Sequence, residues 1–150
     1  MTIRSWLICI GLKFVYIIAM NVLLVDDSDQ IRRRIADTLT NTVPALTLHE
    51  ADSASRAAAM LAAQFYDALV LDLRLPDGSG LEILREVRPR QPGLTIIVLT
   101  NDADDYYRSR CQQLGADFFF DKSAEFFFVA NVLQALAETL AAKETQTALD

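Results

Sequence analysis

Five residues able to do chemistry stand directly behind apolar runs: Asp26 and Asp27 after NVLLV, Asp72 after ALVL, Thr100 after IIVL, and Lys122, with Asp121, after FFF. Carboxylates brought together repel one another, which is tolerable when a hard divalent cation sits among them, and Mg2+ prefers a few oxygens plus retained waters. One carboxylate must be free to attack phosphorus. Asp72 is best placed, with two other acids on one side and Thr100 and Lys122 on the other, and a carboxylate nucleophile gives an acyl phosphate. The ammonium and the metal would neutralise charge on a transferred phosphoryl group, and the threonine hydroxyl would bind one of its oxygens. Each residue alone has an ordinary explanation. Asp26 and Asp27 could begin a helix, Asp72 could be a turn residue before Pro76, and Lys122 a solvated charge. Four separate accidents at four strand ends explain the pattern less economically than one site.

The elements that must bring these positions together are short apolar runs alternating with segments of helical periodicity, the pattern of consecutive βαβ units. The strands read as Val22 to Val25, Leu46 to His49, Ala68 to Leu71, Leu94 to Leu99 and Phe118 to Phe120. Most are continuously hydrophobic, which implies cover on both faces in a parallel sheet between helix layers. Helices are predicted over Asp29 to Thr40, Ser53 to Gln64, Gly80 to Val87, Asp104 to Leu114 and Glu125 to Lys143. Ser28 suits an N-cap and Gly115 a helix C-cap. In a doubly wound sheet the ligand crevice lies beyond the carboxyl ends of the strands, where these polar residues converge. The segment Gly78 to Gly80 lacks the lysine of a nucleotide-binding loop and reads as a turn. His49 reads as a strand residue without a partner, and Phe126 to Phe128 as packing for the last helix.

Composition limits the alternatives. The 150 residues are 52% hydrophobic and 23% charged, with four prolines and five glycines, which suits one globular domain and argues against disorder. A net charge of -6 and a pI near 4.7 give no general attraction for polyanions, so direct nucleic-acid binding is not expected. Cys9 and Cys111 have no metal-ligand spacing and suit structural roles in a reducing, cytoplasmic setting. Residues 1–19 form a hydrophobic leader, read here as an upstream start before a natural Met20. Trp6 to Met20 is shorter than the roughly 20 apolar residues a membrane helix needs, so no membrane association is expected. Residues 20–142 form the domain, and 143–150 a polar tail expected to fray.

The segments VLLVDDSD, LDLRLPDGSGLEIL, IIVLTND and GADFFFDKS, in this order, resemble the receiver domain of bacterial two-component response regulators. The resemblance covers about residues 20 to 142. It implies a flavodoxin-like, doubly wound α/β fold, a five-stranded parallel sheet of order 2-1-3-4-5 with five helices. It also implies a stand-alone switch that accepts a phosphoryl group on Asp72 from a phosphohistidine donor in a Mg2+-dependent reaction. That donor would be a sensor histidine kinase or histidine phosphotransfer protein, met by Ile31, Arg34, Ile35 and Thr38 of the first helix. Asp26, Asp27, Asp72 and the backbone carbonyl of Arg74 would hold the metal, and Lys122 would contact the phosphoryl group. Thr100 would be the switch hydroxyl and Phe119 the aromatic side chain that follows it inward. The face bearing Tyr106, Tyr107, Arg110 and the Phe126 region would then meet a downstream protein. The chain would be no enzyme beyond catalysing its own phosphorylation and dephosphorylation.

Two other functional classes compete with this reading: a phosphorylation-independent receiver-like interaction module, and an aspartate-nucleophile phosphatase. The acidic and lysine positions are complete, which argues against the module. Arg74 stands where such phosphatases place a second catalytic acid, which argues against the enzyme. A fragment of a longer regulator is a further alternative. The chain departs from the family pattern at Ser123, where proline usually follows the lysine, and a cis Lys122-Ser123 bond is expected so that Lys122 can reach Asp72. Asn101, larger than the usual residue after the switch threonine, and Arg74 are expected to screen an in-line water and slow phosphoryl hydrolysis.

Overall fold

The computed structural model describes residues 5–10 and 13–150, and residues 5–10 and 13–18 by their backbone alone. Residues 1–4, 11 and 12 of the leader, and the side chain of Cys9, lie outside the described residues. The backbone of the leader forms an antiparallel hairpin of β1 (Ser5–Ile10) and β2 (Lys13–Ile18). After it come β3 (Met20–Val25), α1 (Asp29–Thr42), β4 (Leu46–Ala51), α2 (Ala54–Ala63) and β5 (Ala68–Leu71). A small hairpin, β6 (Arg74–Leu75) and β7 (Gly78–Ser79), leads into α3 (Gly80–Arg90), and then follow β8 (Thr95–Thr100), α4 (Asp105–Gln113), β9 (Phe118–Asp121) and α5 (Phe128–Leu149). The main sheet is parallel with the order β4-β3-β5-β8-β9, the predicted doubly wound, flavodoxin-like arrangement.

The continuous hydrophobic runs explain this sheet, because successive residues feed two different cores. Leu23, Val25, Leu69, Leu71, Ile96 and Val98 pack with Ala57, Leu61, Ile83, Leu84 and Cys111 from α2, α3 and α4. Val22, Leu24, Val70, Ile97 and Leu99 pack on the opposite face with Ile35, Leu39, Val129 and Leu133 from α1 and α5. Each fully buried aliphatic side chain contributes roughly 1.5–3 kcal/mol, so both faces have to stay covered. Burial pushes the Cys111 thiol up to about 11, which keeps it protonated and unreactive in the core. Among the described residues no helix is long and apolar enough to cross a membrane.

Several elements differ from the sequence-based expectations at their ends. α3 continues three residues past Val87 through Pro89; the Gln91 N–H still bonds the Val87 carbonyl, and Arg88 and Arg90 favour the negative end of the helix. α5 starts at Phe128 rather than Glu125, and the tail expected to fray remains helical to Leu149. The Ala, Glu, Lys and Gln of that tail are good helix formers, and Thr145 and Thr147 donate to the carbonyls of Ala141 and Lys143. Phe126 packs on the core as expected, but Phe127 and Phe128 are 52% and 40% exposed. His49 does have partners, since its Nδ1 lies 3.0 Å from the Tyr66 hydroxyl and 3.0 Å from Gln64 Nε2.

Candidate functional site

Main-chain pairing carries the strand ladders one residue beyond the sheet, into the residues singled out above. Asp26 N–H donates to the Ala51 carbonyl at 3.1 Å, Asp72 N–H to Val25 at 3.0 Å, and Lys122 N–H to Thr100 at 3.0 Å. The backbone positions of the rim residues are therefore set by the same register that aligns the core. Ser28 caps α1 as predicted, accepting from the Ile31 N–H, and turns the chain immediately after the acidic pair.

At this rim one oxygen each from Asp26, Asp27 and Asp72 falls within 4.8 Å of the others. Asp26 and Asp72 are 1% and 7% exposed, while Asp27 is open to solvent. The Lys122 ammonium donates to Asp26 Oδ2 at 2.5 Å and to Asp72 Oδ2 at 2.6 Å. The remaining Oδ1 atoms accept backbone N–H groups, from Ser28 at 2.9 Å on Asp26 and from Arg74 at 3.3 Å on Asp72. Three carboxylates facing one ammonium leave an excess of negative charge, with only oxygen donors. That set fits a hard divalent cation of the Mg2+ type.

The titration directions follow from this geometry. Burial raises the Asp72 carboxyl above the usual carboxylate value, and the Asp26 charge adds to this, while the Lys122 contact offsets part of it. Burial acts to lower the Lys122 ammonium, but its bonds to Asp26 and Asp72 prevail and hold it above its ordinary value. The two directions agree, because one ammonium keeps its proton between two carboxylates that must share it.

The other predicted residues are placed as follows. Thr100 is 1% exposed, and its hydroxyl oxygen accepts the Asp102 N–H at 3.2 Å. Phe119 is half-buried on β9, with the Arg108 guanidinium carbon 4.7 Å above its ring and Arg108 Nη1 donating to its carbonyl at 3.2 Å. Arg74 is exposed and ion-pairs with Asp102 at 2.5 Å, joining the loops after β5 and β8. The expected cis bond is absent: Lys122-Ser123 is trans, as are the described peptide bonds in general. Lys122 reaches Asp72 without it, because pairing with Thr100 holds the Lys122 backbone in line with β9.

Sequence reasoning gave no role at the site to four supporting residues, among them Asp121, which it had placed at a strand end. Arg32 Nη1 donates to the Asp26 carbonyl at 2.8 Å while its guanidinium also pairs with Asp29 and, at 3.1 Å, Glu50. A basic residue six positions after Asp26 was the available signal. Asp77, at the tip of the β6–β7 hairpin, accepts the N–H groups of Ala54 at 2.7 Å and Ser55 at 2.9 Å, which holds its carboxyl below the usual range. Asp121 accepts the Ser123 hydroxyl and N–H, and these bonds lower its carboxyl likewise. Gly80 belongs to the site by close approach: an added Cβ would lie 2.6 Å from the Asp72 carbonyl oxygen and 2.9 Å from Leu73 Cα. Both are backbone atoms that cannot swing aside. Gly80→Ala is therefore expected to cost about 1–3 kcal/mol, read as a lower urea midpoint, with Asp72 displaced. A variant as stable as wild type would show that this backbone gives way freely.

Known proteins share this architecture. The family model for the response regulator receiver domain matches residues 22–136. The chain is 38% identical over 86 residues to the DNA-binding transcriptional activator DevR/DosR of Mycobacterium tuberculosis, covering 57% of this chain and 40% of that protein. It is 32% identical over 120 residues to the photosynthetic apparatus regulatory protein RegA of Rhodobacter capsulatus, covering 80% of this chain and 64% of that protein. A solved response regulator from Burkholderia pseudomallei, with a phosphorylated aspartic acid, calcium ion and citrate, superposes with a TM-score of 0.69 at 25% identity, covering 85% of this chain and 74% of that one. The chain spans less than two thirds of the length of both curated relatives.

Proposed function

Because this chain belongs to the receiver-domain family of response regulators, we propose that it accepts a phosphoryl group on Asp72 and uses the resulting charge to switch a protein-binding face. The observation that carries the reading is the Lys122 ammonium held on both Asp26 and Asp72, with Asp27 within reach of the same point. Receiver domains bind Mg2+ at such an acidic pocket. Here Asp26, Asp27, Asp72 and the Arg74 backbone carbonyl would hold it, and when bound it offsets charge on the phosphoryl oxygens and the carboxylates.

An Asp72 oxygen attacks phosphorus, a new O–P bond forms, and the P–N bond to the donor imidazole breaks, the imidazole leaving with the electron pair and taking up a proton. Lys122 stays protonated throughout and shifts its ammonium from carboxylate to phosphoryl oxygen. The Thr100 hydroxyl already accepts from Asp102, so its hydrogen is available to a phosphoryl oxygen. Its movement would make room for Phe119, and the population of the face carrying Tyr106, Tyr107 and Arg110 shifts with it.

A groove between α1 and the β9–α5 loop, lined by Ile31, Arg34, Ile35, Asn101 and Phe126, opens beside Lys122 and suits the phosphohistidine donor, a histidine kinase or phosphotransfer protein. The Arg34 guanidinium stacks 5.5 Å from the Phe126 ring and forms one wall. Output by contact with a downstream protein, in the cytoplasm, is in keeping with the acidic surface, which does not attract nucleic acid. The chain catalyses only its own phosphorylation and dephosphorylation in this reading.

Incubation with Mg2+ and acetyl phosphate, followed by intact mass, tests it. One phosphoryl adduct is expected; its absence would leave an interaction module, and steady turnover of unrelated phosphoesters would indicate a phosphatase. The adduct is expected to decay slowly, since in this reading Asn101 and Arg74 would screen an in-line water. Replacing Asn101 by Ala should speed the decay, and an unchanged rate would count against the screen.

A further inference from the structure

We propose that Asp121, Ser123 and Glu125 form a clasp that positions Lys122, doing for this chain what proline after the lysine does in the family pattern. Lys122 follows the last residue of β9, an edge strand with one hydrogen-bonded neighbour, and α5 begins only at Phe128 with no side-chain cap at Phe127. A long flexible side chain loses much rotamer freedom when held. Its ammonium can stay on two buried carboxylates only if the backbone beneath it is fixed.

The clasp fixes that backbone with bonds on each side of the lysine. Asp121 Oδ1 accepts the Ser123 N–H at 2.8 Å and the Ser123 hydroxyl at 2.6 Å. Glu125 Oε2 accepts the Asp121 N–H at 2.9 Å, and the Asp121 carbonyl in return accepts the Glu125 N–H at 2.7 Å. This reciprocal pair resembles a capping box and closes the turn. With the Lys122 N–H on Thr100, each backbone N–H from Asp121 to Ser123 is bonded. A proline at position 123 would have no N–H to give to Asp121. The clasp is thus a chemistry open to this sequence because of Ser123. Its three side chains act through Lys122, so they are positioning residues.

The kinetic consequence rests on the phosphoacceptor reading above; the positional one does not. In the full chain, Asp121→Ala removes the acceptor for both Ser123 donors, Ser123→Ala removes one donor, and Asp121→Asn keeps an acceptor oxygen in place. Two readouts separate the effects: the 15N-labelled Lys122 ammonium resonance, visible when its protons are held against exchange, and the rate of adduct formation against acetyl phosphate concentration with Mg2+. Asp121→Ala is expected to lose the resonance and to slow adduct formation about 10–100-fold, with half-saturation by acetyl phosphate unchanged. Ser123→Ala should fall between, and Asp121→Asn should recover most of both. If Asp121→Ala fails to fold, Ser123→Ala supplies the same comparison. A wild-type resonance and rate in the folded variants would overturn the clasp. Should wild type form no adduct, the phosphoacceptor reading fails while the lysine resonance still decides the clasp.

Discussion

Asp72→Asn is expected to form no phosphoryl adduct under conditions where the wild-type chain gains the mass of one phosphoryl group. The amide is nearly isosteric, and its one oxygen can still accept from Lys122, while the NH2 that replaces the other oxygen gives up only the long contact with the Arg74 N–H. What it lacks is the anionic oxygen that attacks phosphorus. The loss is therefore chemical rather than structural, and stability measurements should say so. Burial and the Asp26 charge raise the Asp72 carboxyl, which means that its ionised form is disfavoured in the fold. A raised carboxyl makes stability fall as pH rises from the unfolded value toward the folded one. Removing this ionisation should leave Asp72→Asn as stable as wild type at neutral pH, or more so. Chelation of Mg2+ should abolish the wild-type adduct as completely as the substitution does. An adduct that persists in Asp72→Asn would move the acceptor to another residue.

Lys122→Met should be the most damaging single change for stability that leaves the cores intact. The lysine side chain is 8% exposed and bridges two carboxylate side chains that are 2% and 9% exposed. Methionine keeps the apolar stem and deletes the cation, leaving Asp26 and Asp72 facing each other. Breaking a buried pair in this way costs about 3–5 kcal/mol at neutral pH. The deficit has a definite pH dependence. In the variant the Asp72 carboxyl, raised by burial and by the Asp26 charge, loses the cation that offset part of that rise, so stability is regained on acidification toward the unfolded carboxyl value and lost as pH rises. In the wild type the same dependence is weaker, because Lys122 offsets part of the rise at Asp72. Its raised lysine contributes stability that is complete below the ordinary value of 10.5 and is lost only as pH rises through the higher folded value. Urea midpoints at pH 5 and pH 7 measure the contrast, and added Mg2+ should restore part of the variant's loss. A variant as stable as wild type at neutral pH would show that the lysine is not needed to neutralise the pocket.

How far the molecule could be read from its sequence depends on the range of the interaction concerned. Leu69, Val70 and Leu71 are consecutive and all buried, a pattern that only a strand covered on both faces satisfies. The five strands of the sheet were legible for that reason. The rim was legible because polar residues closing such strands have nowhere to go but the carboxyl edge, as Asp26, Asp72 and Thr100 show. The helix cap Ser28 was readable within a few residues, since an N-cap acts on the N–H three positions ahead. α5 was misjudged at both ends. Its start is displaced by the turn that Asp121 and Glu125 close, and its tail follows helix propensity rather than polarity.

The sequence by itself determined the order of elements, the two-sided core and the set of residues at the rim, because burial periodicity and strand ends are local properties. Tertiary structure decided the connections among them. Lys122 meets Asp26 across 96 residues, Arg74 meets Asp102 across 28, and Asp77 meets Ala54 across 23. Such contacts depend on strand register and side-chain direction to within a fraction of an ångström, which no spacing pattern encodes. The trans course of Lys122-Ser123 is the clearest case. The chain's departure from proline was visible, and the bond from the Ser123 N–H to Asp121 is local, but that Lys122 reaches Asp72 across a trans bond followed only from where the end of β9 lies against β8.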